Sequence, residues 1–266
     1  MPDDAFDPVA TFDEVAARYD AVDVDFFTPI GAELVRRAGI APGDHVLDVG
    51  CGRGAVLRPA ASAAGASGRV IGIDLAPAMV ALTAEAMAAE PTVTVRTGDA
   101  QDPGYPPGTF DVITAGLVMF LLPDPVAAVA GYRRMLRPGG RFAFSTFAGY
   151  DPRYRAALEA LGAHAEGRLP PPPDHEMFRS PETLRSAFAG WAGLRITGFQ
   201  VVSRFRDVGH FMDWVGSHAA QRLVRRIPAG RLPAAVAAVA EVLAGARTPG
   251  GGLALTTDTY IVVATA

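Results

Sequence analysis

Apolar residues recur along this chain at two periods, and the switches between them divide it into alternating helices and strands. Phe12, Val15, Ala16 and Tyr19 fall at i, i+3, i+4 and i+7, and Ile30, Leu34, Val35 and Ala38 follow at helical spacing, so residues 11–38 read as two helical pieces. After the turn Ala41-Pro42-Gly43-Asp44, Val46, Leu47 and Val49 form a short apolar run, as in a parallel strand covered on both faces. The pattern then predicts a helix over 55–64, marred by Pro59, a strand over 69–74, a helix over 77–89 opened by Pro77, and strands over 92–96 and 110–115. A helix over 126–136, the turn Arg137-Pro138-Gly139-Gly140 and a strand over 141–147 complete this alternating part.

Beyond it the alternation loosens. Residues 151–163 read as helix, Pro170 to Pro173 as a stiff extended segment that cannot be helical, and 181–189 as a helix with Ser180 at its N-cap and Pro181 in first position. A strand over 194–203 precedes two amphipathic helices, about 208–226 and 231–245, and a final strand near 255–265 follows Gly250-Gly251-Gly252.

Composition narrows what such a chain does. Its 266 residues suit one α/β domain, with or without a sizeable insertion, and half of them are hydrophobic, which excludes a largely disordered chain. A net charge of -4 argues against broad nucleic-acid binding. All 24 basic residues are arginine, so a Walker lysine, a Schiff-base lysine and the Tyr-x-x-x-Lys base of short-chain dehydrogenases are excluded. Cys51 is the single cysteine, which leaves no intramolecular disulfide and no cysteine zinc site, and no metal is expected. The amino-terminal residues are acidic and no apolar run reaches the roughly 20 residues that span a bilayer, so a cytoplasmic location without membrane attachment is expected.

The chemistry concentrates at His45-Val46-Leu47-Asp48-Val49-Gly50-Cys51-Gly52-Arg53-Gly54. A buried strand runs there into three glycines that permit positive φ and close approach of backbone to a ligand, ahead of a helix start whose free N–H groups favour an anion. The spacing is G-x-G-x-G, one residue short of the dinucleotide fingerprint, with Asp48 two residues before the first glycine. Asp74 closes the second strand, twenty residues beyond Gly54, where an acid can accept both ribose hydroxyls. Gly98-Asp99-Ala100 follows the third strand.

"VLDVGCGRG", this acid, "GDA" and "FDVITAGLVMFLLPDP…YRRMLRPGGRFAFS", in that order over about residues 11–147, resemble class I S-adenosylmethionine-dependent methyltransferases. The likeness is to those related to the ubiquinone and menaquinone C-methylating enzymes and to natural-product tailoring enzymes. It implies an α/β, Rossmann-like fold: a seven-stranded, mostly parallel sheet with an antiparallel last strand and a helical substrate cover. The expected organisation is one domain with its core at about 40–205 and 253–266, an amino-terminal cover at 1–39, and insertions at about 150–190 and 206–252.

For the cofactor the resemblance implies contacts from Asp48, Gly50, Cys51, Gly52, Asp74, Leu75, Met79, Asp99, Ala100 and Ala115. Asp99 would take the adenine amino group and the next backbone N–H a ring nitrogen. Tyr19 is either a cofactor contact or an aromatic that packs its helix to the core. Many relatives read "HHLPDP" where this chain has Phe120-Leu121-Leu122-Pro123-Asp124-Pro125, so histidines that could face the substrate are absent and that wall is apolar. His175, beside the proline run, and His218, at i+7 from Phe211 on a predicted helix with Trp214 and Val215, are the candidate catalytic groups. Each has a plainer reading as a packed residue. The expected reaction moves a methyl group from S-adenosylmethionine to a small, fairly apolar molecule of specialised metabolism, with S-adenosylhomocysteine as product and O-methylation favoured over C- or N-methylation. The competing readings are a non-catalytic S-adenosylmethionine sensor and a nicotinamide oxidoreductase.

Overall fold

The computed structural model describes residues 6–167 and 173–266; Pro170, Pro171 and Pro172 of the expected extended segment lie outside them. The chain divides into two compact units. One takes the described residues of Met1–Phe26, Ala148–Pro171 and Gln200–Asp258, the other those of Phe27–Phe147, Pro172–Phe199 and Thr259–Ala266. The expected amino-terminal cover is therefore divided, because helix α2 (Phe27–Ala38) belongs with the sheet. Gly31 on α2 lies so close to the Ala55 carbonyl oxygen that an added Cβ would fall 2.3 Å from it.

The strands are β1 (His45–Val49), β2 (Arg69–Asp74), β3 (Val93–Thr97), β4 (Phe110–Gly116), β5 (Leu136–Tyr150), β6 (Ala192–Phe205) and β7 (Leu253–Thr265), in the order β3-β2-β1-β4-β5-β7-β6. The first five pair in parallel. Strand β7 runs against them. Ala266 donates its N–H to Gly140 near the start of β5, whereas Asp151, just past the end of β5, donates to Thr256 near the start of β7. Helices α3 (Leu57–Ala64), α4 (Pro77–Ala86) and α5 (Pro125–Met135) make the crossovers. Pro59 is tolerated in α3 because it sits in the first turn, where backbone N–H groups have no helical partner.

Arg137 to Gly140, expected as a turn, fall within β5 but outside its ladder with β4, and Gly139 keeps a left-handed φ of 77°. The β4–β5 register shifts between Phe110 and Val112, and the chain's last residue, Ala266, bonds to Gly139 and Gly140. The locally turn-like sequence is thus a bulge in β5, held by a partner far along the chain.

The core of this unit packs Leu47, Val49, Ile73, Ile113 and Ala115 from the central strands against Tyr132 and Met135 of α5, with Phe142 and Phe144 of β5 stacked on Phe188. Each such side chain contributes about 1.5–3 kcal/mol on full burial. Phe188 follows helix α7 (Pro181–Ala187), whose amino end is closed by a reciprocal capping box between Ser180 and Thr183.

In the other unit, α1 (Pro8–Val15) begins before the predicted helix because Asp7 caps it, accepting the Ala10 N–H at 3.1 Å. It ends at Val15, so Tyr19 lies beyond the helix instead of on its apolar stripe; its ring meets Phe12 edge-on at 6.1 Å. Helices α6 (Pro152–Gly162), α8 (Val208–Val215), α9 (Gln221–Val224) and α10 (Leu232–Leu243) complete this unit. The single helix expected over 208–226 is broken. Gly216 ends α8, and the Ser217 hydroxyl donates to the Trp214 carbonyl at 2.8 Å, so the ladder stops and His218 falls outside both helices. Ala235, Val239 and Leu243 are buried on α10, which packs on α6 and α8. With its flanks, Ala229–Ala246, α10 forms an 18-residue stretch of mean hydropathy 1.3.

Candidate functional site

Strand β1 lies between β2 and β4, so the chain crosses the sheet in opposite directions from it and opens a crevice at the carboxyl ends. Gly50, Gly52 and Gly54, which follow β1, have φ of 65°, 49° and 85°, left-handed values that favour glycine. At Gly50 a Cβ would also fall 2.5 Å from Cγ2 of Val118, so the turn is packed against the chain leaving β4. That chain contains Leu117 at φ 54°, with its N–H donated to the Ser145 hydroxyl at 3.0 Å. A left-handed leucine is strained, and here it borders the crevice.

Asp48 is 1% exposed. Its Oδ1 accepts from the Thr114 hydroxyl at 2.8 Å, from the residue beside it on β4, while Oδ2 has no partner among the described residues. Burial pushes its carboxyl up to about 7, Thr114 opposes the rise, and the nearby Asp74 adds to it. Asp74 accepts the Gly52 N–H on Oδ2 and the Ala76 N–H on Oδ1, both at 2.9 Å, and burial raises its carboxyl too. A buried and a half-buried carboxylate with one unused oxygen fit a cation at the crevice. Arg53 supplies the complement: its Nη1 is buried without a partner among the described residues. S-adenosylmethionine carries a sulfonium, an ammonium and a carboxylate, so both orphaned atoms have a natural counterpart in it.

Cys51 is buried, its thiol is pushed well up by burial, and its N–H bonds to the Ile73 carbonyl at 2.9 Å. It is a packed residue, as a nucleophile would not be. Leu75, at the end of β2, is 39% exposed, whereas Met79 and Ala115 are buried at 1% and 0%. Asp99 is exposed and accepts the Gln101 N–H at 2.7 Å, and the neighbouring Ala100 carbonyl accepts the hydroxyl of Tyr132, which ties the end of β3 to α5. Phe120 and Phe147 stack obliquely with centroids 5.2 Å apart, giving the expected apolar wall beyond β4 and β5.

The structure thus brings Asp48, Gly52, Asp74 and the end of β3 together, the last through the Gly98 N–H on the Asp74 carbonyl. Tyr19 and His218 lie in the other unit. His175 caps a 3-10 turn at Glu176–Phe178 in the sheet unit, edge-on to Phe178, and its Nε2 is buried without a partner among the described residues. His218 differs from the expected base. The Ala220 N–H donates to its Nδ1 at 3.3 Å and burial pushes its pKa down to about 4, so the ring is neutral with its proton on Nε2. Thr114 and Arg53 went unmarked by sequence reasoning. A threonine inside the run FDVITA was the available signal for the first, and the second lay within the glycine motif.

Residues 47–144 match the family model described as a methyltransferase domain. The chain is 52% identical over 133 residues to nocamycin O-methyltransferase of Saccharothrix syringae, a match covering 49% of this chain and 47% of that relative, about half its length. It is 38% identical over 194 residues to aklanonic acid methyltransferase DauC of Streptomyces sp. (strain C5), covering 68% of this chain and 82% of that protein. A solved S-adenosylmethionine-dependent methyltransferase from Aquifex aeolicus shares the fold, with a TM-score of 0.51 at 17% identity over 98% of this chain and 99% of that one.

Proposed function

The chain belongs to the S-adenosylmethionine-dependent methyltransferases, and from that premise we propose that it methylates an oxygen of a small, fairly apolar metabolite of specialised metabolism. The observation that carries the substrate side is Phe120 against Phe147, which offers hydrocarbon to the acceptor and no proton-carrying side chain. The names of the two relatives, one an O-methyltransferase and the other acting on an acid, support oxygen as the acceptor atom.

On the cofactor side, Asp48 Oδ2 takes the ammonium, Arg53 Nη1 the carboxylate, Asp74 the ribose hydroxyls and Asp99 the adenine amino group. Gly50 and Gly52 let the backbone approach, and Leu75 and Met79 pack at the adenine. Bound S-adenosylmethionine supplies an electrophilic methyl on a sulfonium whose departure as a neutral thioether needs no acid. What remains for the chain is to orient the acceptor and exclude water, a task that can supply as much as ~7–11 kcal/mol. Where the acceptor oxygen arrives protonated, His175 is the candidate base. Its Nε2 is unsatisfied, whereas that of His218 holds a proton.

The test is turnover to S-adenosylhomocysteine with phenol, carboxylate, enol and amine acceptors, followed by mass spectrometry and NMR of the product. Ester or ether products are expected. Methyl groups found on nitrogen or carbon alone would refute the oxygen assignment, and no turnover with any acceptor would refute the substrate reading.

A further inference from the structure

The segment Asp99-Ala100-Gln101, which leaves β3 within the sheet unit, is tied down at every residue. Asp99 Oδ1 accepts the Gln101 N–H at 2.7 Å, a turn closed by its own side chain that fixes the direction of the carboxylate. The Ala100 carbonyl accepts the hydroxyl of the buried Tyr132 on α5. Gln101 makes the third tie with both ends of its amide. Its Nε2 donates to the Asp124 carbonyl and its Oε1 accepts the Asp124 N–H, each at 2.9 Å and from 23 residues away. The side chain thus pairs donor to acceptor and acceptor to donor with one backbone unit, as an antiparallel strand neighbour does. Asp124 is a firm anchor. It caps α5, accepting the Ala127 N–H on Oδ1 at 2.9 Å, and Pro123 and Pro125 on either side of it restrict its backbone. Gln101 is only half-buried, so water is a ready alternative partner for its amide. Ordering so long a side chain costs entropy, and two bonds to a backbone already held in place offset that cost where bonds to a mobile loop would not.

We propose that Gln101 is the positioning residue for base selection in the cofactor: by latching the Asp99 turn to the capped start of α5, it holds the Asp99 carboxylate where the 6-amino group of the nucleoside arrives. The assignment rests on the reading of Asp99 given above. Adenine presents an amino donor and, beside it, a ring nitrogen that accepts. Hypoxanthine presents a carbonyl oxygen and a ring N–H in the same two places, so a carboxylate held at the first position faces another acceptor and rejects it. A carboxylate free to swing turns aside into water and loses that discrimination. Gln101 touches neither base, and its contribution is read as selectivity rather than as a contact of its own.

The probes are S-adenosylhomocysteine and S-inosylhomocysteine, titrated calorimetrically into the full chain and into Gln101→Met, Gln101→Glu, Asp99→Ala and the double variant Asp99→Ala with Gln101→Met. The parent is expected to prefer the adenosyl ligand by roughly a hundredfold or more, and Asp99→Ala to remove most of that preference. Gln101→Met keeps the length of the side chain but loses both amide bonds, and should cut the preference by roughly tenfold, through the adenosyl ligand alone. Gln101→Glu sets a second carboxylate oxygen against the Asp124 carbonyl at neutral pH and should behave in the same way. In the double variant the Gln101 change should add nothing, because it acts through the Asp99 carboxylate. A cooperative thermal transition shows that each variant folds. The proposal is overturned if the Gln101 variants weaken both ligands equally, if they leave the preference intact, or if their effect adds in full to that of Asp99→Ala. A preference that survives Asp99→Ala would remove Asp99 from the base, which overturns the reading of Asp99 and the role of Gln101 together.

Discussion

Asp48→Asn separates the cost of the buried carboxyl from its use. The folded-state value of about 7 lies above the ordinary Asp value of 3.8, so the folded chain holds this proton more tightly than the unfolded chain does. Below the unfolded value both states are protonated and the group costs nothing. As pH rises toward the folded value, stability is lost, and above it the loss is complete, at about 4 kcal/mol for a shift of about three units. Asparagine cannot ionise, so its pH-dependent part vanishes; what remains is a constant cost of about 1–3 kcal/mol for an amide NH2 placed where Oδ2 found no partner. Urea unfolding of the ligand-free protein at about pH 4.5 and about pH 8 should therefore show the stability of Asp48→Asn relative to the parent rising by ~3–4 kcal/mol across that range, or ~10 °C in thermal midpoint. Asp74 titrates in both proteins and largely cancels. The same substitution should weaken S-adenosylmethionine binding. Near pH 7 the parent should release about half a proton per S-adenosylmethionine bound, because a cation beside Asp48 favours its ionised form, and calorimetry in buffers of different ionisation enthalpy reads this directly. A stability difference that is flat between acid and alkaline pH, or that falls, would refute the burial argument.

Asp74→Ala should lower S-adenosylmethionine affinity by roughly a hundredfold, two charge-assisted hydrogen bonds being lost, with a cooperative thermal transition retained; unchanged affinity would remove Asp74 from the ribose. Arg53→Met should weaken S-adenosylmethionine but not decarboxylated S-adenosylmethionine, and equal weakening of both would show that Arg53 acts through the turn. Gly50→Ala should destabilise the protein by about 1–3 kcal/mol, since the Cβ meets Val118 and the φ of 65° is strained, and Val118→Ala should restore only part of this in the same urea titration. Thr114→Val, which removes the hydroxyl that donates to Asp48 Oδ1, should move the midpoint of the acid-to-alkaline stability loss to higher pH; a downward move would contradict the geometry.

The apolar runs Val46–Val49 and Arg69–Asp74, the glycines after the first of them and the acid ending the second were legible in the sequence because each depends on neighbours a few residues away. A parallel strand buried on both faces has to be continuously apolar, a turn at positive φ needs glycine, and a nucleoside site needs an acid at a strand end. What the sequence by itself did not determine depends on which of several competing local hydrogen bonds the fold selects, and on partners far along the chain. Arg137 to Gly140 look like a simple turn, but Ala266 pairs with them as a bulge of β5, and Tyr19 looks helical although α1 ends at Val15. Residues 208–226 look like one helix until Ser217 takes a helical carbonyl and His218 its own Ala220 N–H. The chemical character of the site was decided at the same level. Whether Asp48 is charged, whether Arg53 has a partner and which nitrogen of His218 holds a proton follow from burial and from contacts such as Asp48 with Thr114, which lies 66 residues away. Periodicity records which faces are apolar, whereas ionisation and tautomer follow from what the fold packs against each atom, and so belong to the tertiary structure alone.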